Sequence, residues 1–236
     1  MRHDGRSDDQ LRPIKITPNF LEHPHGSCLI QMGRTRVVCS VMLENSVPQF
    51  LKGKGTGWLS AEYSMLPASS KQRIHRERAK VGGRTHEIQR LIGRSLRMCM
   101  DLSIVKERSF LVDCDVLDAD GGTRTAAITG GYIALGLALK KLERHEPVLG
   151  AALKVGIAAV SVGIVNGRPV LDLNYEEDKN AEVDMNIVKT SSGHYVEVQG
   201  TGENAPFDAS QLAGLLAIAD KGIQELIAVQ KQVLEI

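Results

Sequence analysis

The sequence predicts a mixed α+β fold built from two rounds of strands followed by helices. Three observations carry that prediction. Phe110, Val112, Cys114 and Val116 alternate with Leu111, Asp113, Asp115 and Leu117, the period of two that marks a half-buried strand. Past Gly121-Gly122, the residues Ile128, Tyr132, Leu135, Leu139 and Leu142 recur at helical spacing, with Lys140, Lys141 and Arg144 where a helix C-terminus favours positive charge. A second set of apolar runs, joined at Asn166-Gly167, leads to a last amphipathic helix over residues 208–233. The order of these signals argues against a doubly wound nucleotide fold. It predicts one compact unit over residues 1–236, with subregions 10–142 and 151–230.

In chain order, Pro13 closes a polar start, and short β-rich runs follow at Ile14 to Ile16, Ser27 to Met32 and Arg36 to Leu43. Pro18, Pro24-His25-Gly26 and Gly33 separate them, as in an antiparallel meander. Arg12 and Arg36 are expected in surface salt bridges, the usual fate of scattered arginines. A glycine-rich loop, Lys52 to Gly57, precedes a strand at Trp58 to Met65. Composition then shifts: between Lys71 and Arg84 the chain carries Lys71, Arg73, Arg76, Arg78, Lys80 and Arg84 against the single acid Glu77. That run is either a solvated face or an anion-binding one. Gly82-Gly83-Arg84-Thr85 opens a helix whose Ile88, Leu91, Ile92, Cys99 and Leu102 share a face, with Arg90, Arg94 and Arg97 among the polar positions.

After a break at Pro147 to Gly150, apolar runs occupy Ala151 to Val165 and Val170 to Leu173. An acidic stretch, Asn174 to Asn186, precedes a strand at Val183 to Val188, and a hairpin through Ser192-Gly193 leads to Tyr195 to Val198. The closing helix has Asp208 or Ser210 as its cap and carries Leu212, Leu215, Leu216, Ala219, Ile223, Leu226 and Ile227.

Composition narrows the function classes. With 236 residues, 42% apolar and 24% charged, the chain has material for a sizeable core. A net charge of +1 requires any nucleic-acid binding to come from local clustering of basic residues, and 4% aromatics disfavour rows of stacked bases. Cys28, Cys39, Cys99 and Cys114 show no metal spacing and sit among apolar neighbours, as buried reduced thiols of a cytoplasmic protein do. The longest apolar segment, Val155 to Val165, is too short to span a membrane.

Two stretches carry chemistry. In Asp118-Ala-Asp-Gly-Gly-Thr-Arg-Thr-Ala126 the glycines lie at a strand-to-helix turn. There the free N–H groups of the helix start, the Thr123 and Thr125 hydroxyls and the Arg124 guanidinium can form a phosphate pocket. The plain alternative is a glycine turn with a threonine cap and a solvated arginine. Arg84 follows a similar glycine pair, so two arginines can reach one anion if the fold brings both turns together. Asp178 and Asp184, with Glu182 between them, offer hard oxygen donors for Mg²⁺ or Mn²⁺, or a proton donor beside a phosphate. The plain alternative is an acidic loop that solubilises a hairpin. The seven histidines are scattered and form no triad.

Over nearly its whole length the chain resembles the ribonuclease PH family of phosphate-dependent 3′→5′ exoribonucleases. The residues that carry the resemblance are Gly5-Arg6, Asp9-Gln-Leu-Arg-Pro13, Gly57-Trp58, Ala61-Glu-Tyr63, Met65-Leu-Pro67, Gly83-Arg-Thr85 and Glu87-Ile-Gln-Arg-Leu-Ile-Gly-Arg94. It continues through Asp118, Asp120-Gly-Gly-Thr-Arg-Thr-Ala126, Asp184-Met-Asn186 and Glu197-Val-Gln-Gly200. The resemblance implies two similar βα layers of the ribosomal-protein-S5-domain-2-like type. It also implies that Arg84, Gly122, Thr123 and Arg124 bind inorganic phosphate, a co-substrate that releases nucleoside diphosphates from RNA 3′ ends. Further implications are Asp178 and Asp184 as catalytic carboxylates, bound to Mg²⁺ or Mn²⁺ or acting as the proton source, Arg73 and Arg76 as RNA contacts, transfer-RNA precursors as substrates, and a homohexamer arranged as a trimer of dimers. A non-catalytic RNA-binding ring subunit and a hydrolytic nuclease are the competing functions.

Overall fold

The computed structural model describes residues 2–77 and 80–235; Arg78 of the basic run lies outside the described residues. Three strands form first, β1 (Ile14–Pro18), β2 (Gly26–Met32) and β3 (Thr35–Glu44), paired antiparallel as the proline and glycine punctuation predicts. Next come β4 (Trp58–Met65), α1 (Gly83–Met98), the one-turn α2 (Leu102–Val105), β5 (Ser109–Asp118) and α3 (Thr123–Leu142). β5 inserts between β3 and β4, antiparallel to the former and parallel to the latter, giving a five-stranded sheet in the order β1-β2-β3-β5-β4. α1 ends at Met98, so the expected extension to Leu102 is corrected: Cys99 closes the helix, and Asp101 caps α2 by accepting the Ser103 N–H.

The second half comprises β6 (Ile157–Val165), β7 (Arg168–Leu171), α4 (Tyr175–Asn180), β8 (Val183–Thr190), β9 (Tyr195–Gly202) and α5 (Ala209–Leu234). Its four strands run antiparallel in the order β7-β6-β8-β9. Asn166 and Gly167 both have positive φ, 52° and 71°, as the two-residue turn between β6 and β7 requires. The apolar run from Ala151 starts its strand only at Ile157, because Pro147–Ala152 is a 3-10 turn. The acidic stretch holds a helix where a loop was expected. In α4 the Asn174 side chain accepts the Glu177 N–H, and Glu177 returns the bond to the Asn174 N–H, so both ends of the first turn are satisfied. Asp208 and Gln211 cap α5 in the same way.

α3 joins the two sheets. It packs on β2 and β3 of the first and on β6 of the second, and its residues from Thr125 to Gly136 are all buried. The absence of a side chain at Gly130 permits this contact, since a Cβ there would lie 2.7 Å from Ile30 Cγ2 and 2.8 Å from Cys39 Sγ. α1 packs on β4 and α3, while α5 covers β6 and β7. One apolar cluster, from Leu11 to Leu234, draws on both sheets, and Cys28, Cys39, Cys99 and Cys114 are buried within it as free thiols. The two halves therefore share their interior, with α3 as the common element.

Leu135 is fully buried on α3. Its replacement by alanine is expected to lower unfolding free energy by about 2–5 kcal/mol, measured by chemical denaturation at fixed protein concentration. A loss well under 1 kcal/mol would show that α3 does not hold the halves together.

Candidate active site

The site begins where β5 hands over to α3. Gly121 and Gly122 both have positive φ, 77° and 64°, a conformation that glycine adopts without strain. A Cβ on Gly121 would lie 2.6 Å from the Leu173 carbonyl oxygen and 2.7 Å from the Asn174 carbonyl carbon. The turn is thus pressed against the segment that leads from β7 into α4. Gly122 is the N-cap of α3 and supplies no side-chain cap, so the first-turn N–H groups remain available to an external anion.

Arg12 fastens this junction from inside. Its guanidinium donates to the Asp120 carbonyl at 2.5 Å and the Gly121 carbonyl at 3.3 Å, and grips the Asp172 carboxylate at 2.7 and 2.9 Å. Its backbone N–H also reaches Asp172 at 2.8 Å. Burial opposes the charge on Arg12, but Asp172 and Asp120 more than offset this and raise its pKa. The expectation of a surface salt bridge is therefore corrected for Arg12, which is 4% exposed, whereas Arg36 does meet Asp118 at the surface. Arg2 and Arg6 add to the clasp: Arg2 pairs with Glu177 and donates to the Leu171 carbonyl, and Arg6 donates to the Asp172 carbonyl. The N-terminal segment thereby holds α4 in place.

A cavity of about 200 Å³ opens over the turn. Arg84, from the first turn of α1, and Arg124, from the first turn of α3, both line it, together with Gly122, Thr123, Asp178 and Asp184. The structure thus brings the two glycine-arginine turns to one place. Arg124 donates to Gln199 Oε1 at 3.3 Å, and Gln199 in turn donates to Glu87 at 2.6 Å, so β9 and α1 aim it. Arg84 is exposed. Thr123 shares a 2.8 Å hydrogen bond with the Tyr63 hydroxyl, whereas Thr125 turns back to donate to the Gly122 carbonyl and stays out of the cavity, a correction to its expected role.

Asp178 comes from α4 and Asp184 from β8. Burial raises the Asp178 pKa, and Arg124 and Arg84 restrain the shift. Burial, then the neighbouring Asp178 charge, pushes Asp184 up to about 6. Asp184 Oδ1 is buried and has no hydrogen-bond partner. Two neighbouring carboxylates, of which Asp184 bears an unpaired buried oxygen, fit a hard divalent cation such as Mg²⁺, which takes one or two carboxylates and completes its shell with water and phosphate oxygens. Among the described residues no cluster of three or more His, Cys, Asp or Glu side chains forms, so the donor set is that of a shared site. Glu182 is turned elsewhere, accepting the Gly167 N–H at 2.9 Å.

Arg73 and Arg76 are not in this cavity. Arg73 lines a larger one of about 770 Å³ that adjoins it at Ser70, Ala119 and Tyr175, and Arg76 lines one of about 260 Å³ above Tyr63. Sequence reasoning missed Ser161 and gave Asn186 no role. The two face each other across β6 and β8, and both line the central cavity. Ser161 is signalled as a polar residue inside the otherwise apolar β6, whereas Asn186 lies in a strand that also carries Asp184 and Lys189 and stands out less. Sequence reasoning also missed the clasp formed by Arg2, Arg6 and Arg12, which pairs residues some 160 or more positions apart and leaves no local pattern.

Comparison with known proteins gives a family match for both halves. Residues 10–140 match domain 1 of the 3′ exoribonuclease family, and residues 157–222 match domain 2. The chain is 53% identical to the ribonuclease PH of Syntrophomonas wolfei over 235 residues, covering 99% of this chain and 98% of that protein. It is 54% identical to the ribonuclease PH of Bacillus subtilis over 237 residues, covering 99% and 97%. Among solved structures, an Archaeoglobus fulgidus exosome with RNA bound to the active site superposes with a TM-score of 0.78 at 24% identity, covering 95% of this chain and 91% of that one.

The raised Asp184 pKa sets a stability trend. Its folded value, about 6, exceeds the ordinary 3.8, so the fold binds this proton more tightly than the unfolded chain does. The resulting stabilisation is complete below about pH 4 and is lost as pH rises through about 6. Asp184→Asn is therefore expected to be more stable than the parent at pH 8 in metal- and phosphate-free buffer, with the advantage vanishing toward pH 4. Equal pH profiles for both proteins would contradict the burial assigned to this carboxylate.

Proposed function

The chain belongs to the 3′ exoribonuclease family, and we infer from that premise that it is a phosphorolytic 3′→5′ exoribonuclease whose chemistry occurs in the cavity between Arg84, Arg124, Asp178 and Asp184. The observation that carries the assignment is the meeting of two arginine-bearing helix starts with two carboxylates around about 200 Å³ of space. Inorganic phosphate sits on the Gly122 turn, held by the first N–H groups of α3, the Thr123 hydroxyl and the Arg124 and Arg84 guanidiniums. Nucleophile and target are both anionic, and the paired guanidiniums lower their repulsion while aligning them in line.

A phosphate oxygen forms a bond to the terminal internucleotide phosphorus as the bond to the preceding 3′-oxygen breaks. The last nucleotide leaves as a diphosphate. The departing 3′-oxygen needs a proton, and Asp184, protonated up to about pH 6, is the group held to supply it. Asp178, and Asp184 once it is ionised, would hold Mg²⁺ or Mn²⁺, whose charge would further stabilise the phosphoryl oxygens. Because the reaction exchanges the phosphodiester bond for the phosphoanhydride bond of a nucleoside diphosphate with little change in free energy, the chain also runs it backwards, adding nucleotides from diphosphates.

Transfer-RNA precursors and ribosomal RNA with extended 3′ ends are the proposed substrates, gripped beyond the active site by Arg73 and Arg76. Ribonuclease PH relatives at 53–54% identity over nearly the whole chain support that reading. We further propose that the two sequence halves act as one unit, that this unit assembles as a homohexamer, a trimer of dimers, and that it works in the cytoplasm. The shared apolar interior supports the first of these, and the four buried free thiols support the last. No helix among the described residues is long and apolar enough to cross a membrane.

One assay separates the activities: a 3′-extended transfer RNA is incubated with and without inorganic phosphate and the products are identified. Nucleoside diphosphates, formed only with phosphate, are expected; monophosphates would assign a hydrolase, and no turnover a binding subunit. Arg124→Ala is expected to lower kcat/KM for phosphate by roughly a hundredfold. Asp184→Asn is expected to lower kcat by roughly 10²–10⁴ with RNA affinity retained. Unchanged phosphate dependence in Arg124→Ala would remove the pocket assignment.

A further inference from the structure

The phosphate cavity accounts for the reacting groups but contains nothing that reads a base. Beside it lies the larger cavity of about 770 Å³, and Tyr175 lines both. Tyr175 is 44% exposed, unusual for a large side chain at the wall of a built site. Its backbone is held firmly. The Tyr175 N–H donates to Asp120 at 3.4 Å, the residues on either side belong to the capped start of α4, and the Gly121 turn is pressed against its amide.

The ring is only loosely covered. Lys71 Nζ stands 5.9 Å from its centroid, near the outer limit of a cation–π contact, while paired with Glu176 at 2.9 Å. Lys71 is itself largely exposed, so it can swing aside without loss of packing. Arg73 and Lys179 also line this cavity, Lys179 one helical turn after Tyr175, and neither forms an ion pair among the described residues. An aromatic face on a rigid support, next to unpaired cations and opening directly onto a phosphate pocket, is the combination that holds a single-stranded nucleotide by stacking and backbone neutralisation.

Resting on the exoribonuclease reading above, we propose that Tyr175 is the stacking platform for one base adjoining the scissile phosphodiester, and that the larger cavity is the nucleotide subsite it serves. Stacking is indifferent to base identity, so the subsite tolerates any sequence at the 3′ end. The fixed backbone turns the stacked base into a ruler that sets the phosphodiester against the phosphate pocket. Chain ends that are base-paired cannot enter, because the ring requires an unstacked face.

The test uses the full chain and single-stranded RNA oligonucleotides that carry an abasic residue at each of the last three positions in turn. The parent protein is expected to lose roughly 5- to 100-fold in kcat/KM at one position, mainly through KM for RNA. Tyr175→Ala is expected to lose a similar factor on unmodified RNA, with KM for phosphate unchanged, and to show no further loss on the abasic RNA. Tyr175→Phe, which keeps the ring, is expected to behave as the parent; Tyr175→Leu, which fills the volume without an aromatic face, is expected to behave as the alanine variant and replaces it if the latter fails to fold. An abasic penalty that persists undiminished in Tyr175→Leu, or a failure of phenylalanine to restore activity, would overturn the platform. A parent protein without phosphate-dependent turnover would instead overturn the exoribonuclease reading.

Discussion

The buried pair of Arg12 and Asp172 ties the glycine turn at residues 120–122 in one half of the chain to the carboxylate-bearing segment of the other. Neither side chain retains appreciable contact with water, and the guanidinium divides its donors between the Asp172 carboxylate and the carbonyls of Asp120 and Gly121. A buried pair of this kind adds little net stability over an apolar replacement, but removal of one partner strands the other at a cost of about 3–5 kcal/mol. Its effect is geometric: it allows one arrangement of the 120–122 turn relative to the 172–175 segment. Asp172 adopts a positive φ of 53°, a mildly strained conformation that Asp tolerates and the Arg12 grip retains.

The electrostatics of the site follow from that arrangement. Asp178 and Asp184 face Arg124 and Arg84 across a small cavity, yet burial dominates and both carboxyls are shifted upward. A site with both carboxylates ionised would repel an incoming phosphate and a phosphodiester. Burial lets Asp184 take up a proton more readily than an ordinary aspartate, which under the proposed mechanism lessens that repulsion and places a proton donor near the departing 3′-oxygen. The two arginines differ in restraint, with Arg124 tethered through Gln199 to Glu87 and Arg84 exposed at the start of α1. Under the proposed function, the fixed arginine would define the phosphate position and the freer one would close on it after entry.

Much of this was legible in the amino-acid sequence because it has local periodicity. The alternation in β5, the glycines at 121 and 122 and the helical spacing of α3 announced the strand-to-helix turn, and Asn166-Gly167 announced its hairpin. The meeting of Arg84 with Arg124 was stated only as a condition on the fold, since residues 40 positions apart on different helices share no local signal. α4 was hidden because its six residues are too few for a repeat and its stability comes from the Asn174–Glu177 cap and the arginines of the N-terminus. Arg12 was misjudged for the same reason: an isolated arginine reads as surface until its partner 160 positions away is known.

The central claim is that phosphate binding depends on the hidden clasp as much as on the arginines that touch the anion. The most direct measurement is the affinity for inorganic phosphate in Arg12→Lys, by titration calorimetry, with folding confirmed by near-ultraviolet circular dichroism. Lysine keeps the charge but cannot hold Asp172 and two carbonyls at once. Phosphate affinity is expected to weaken by roughly tenfold or more, although Arg12 does not itself line the central cavity. A folded Arg12→Lys protein with parental phosphate affinity would contradict the account.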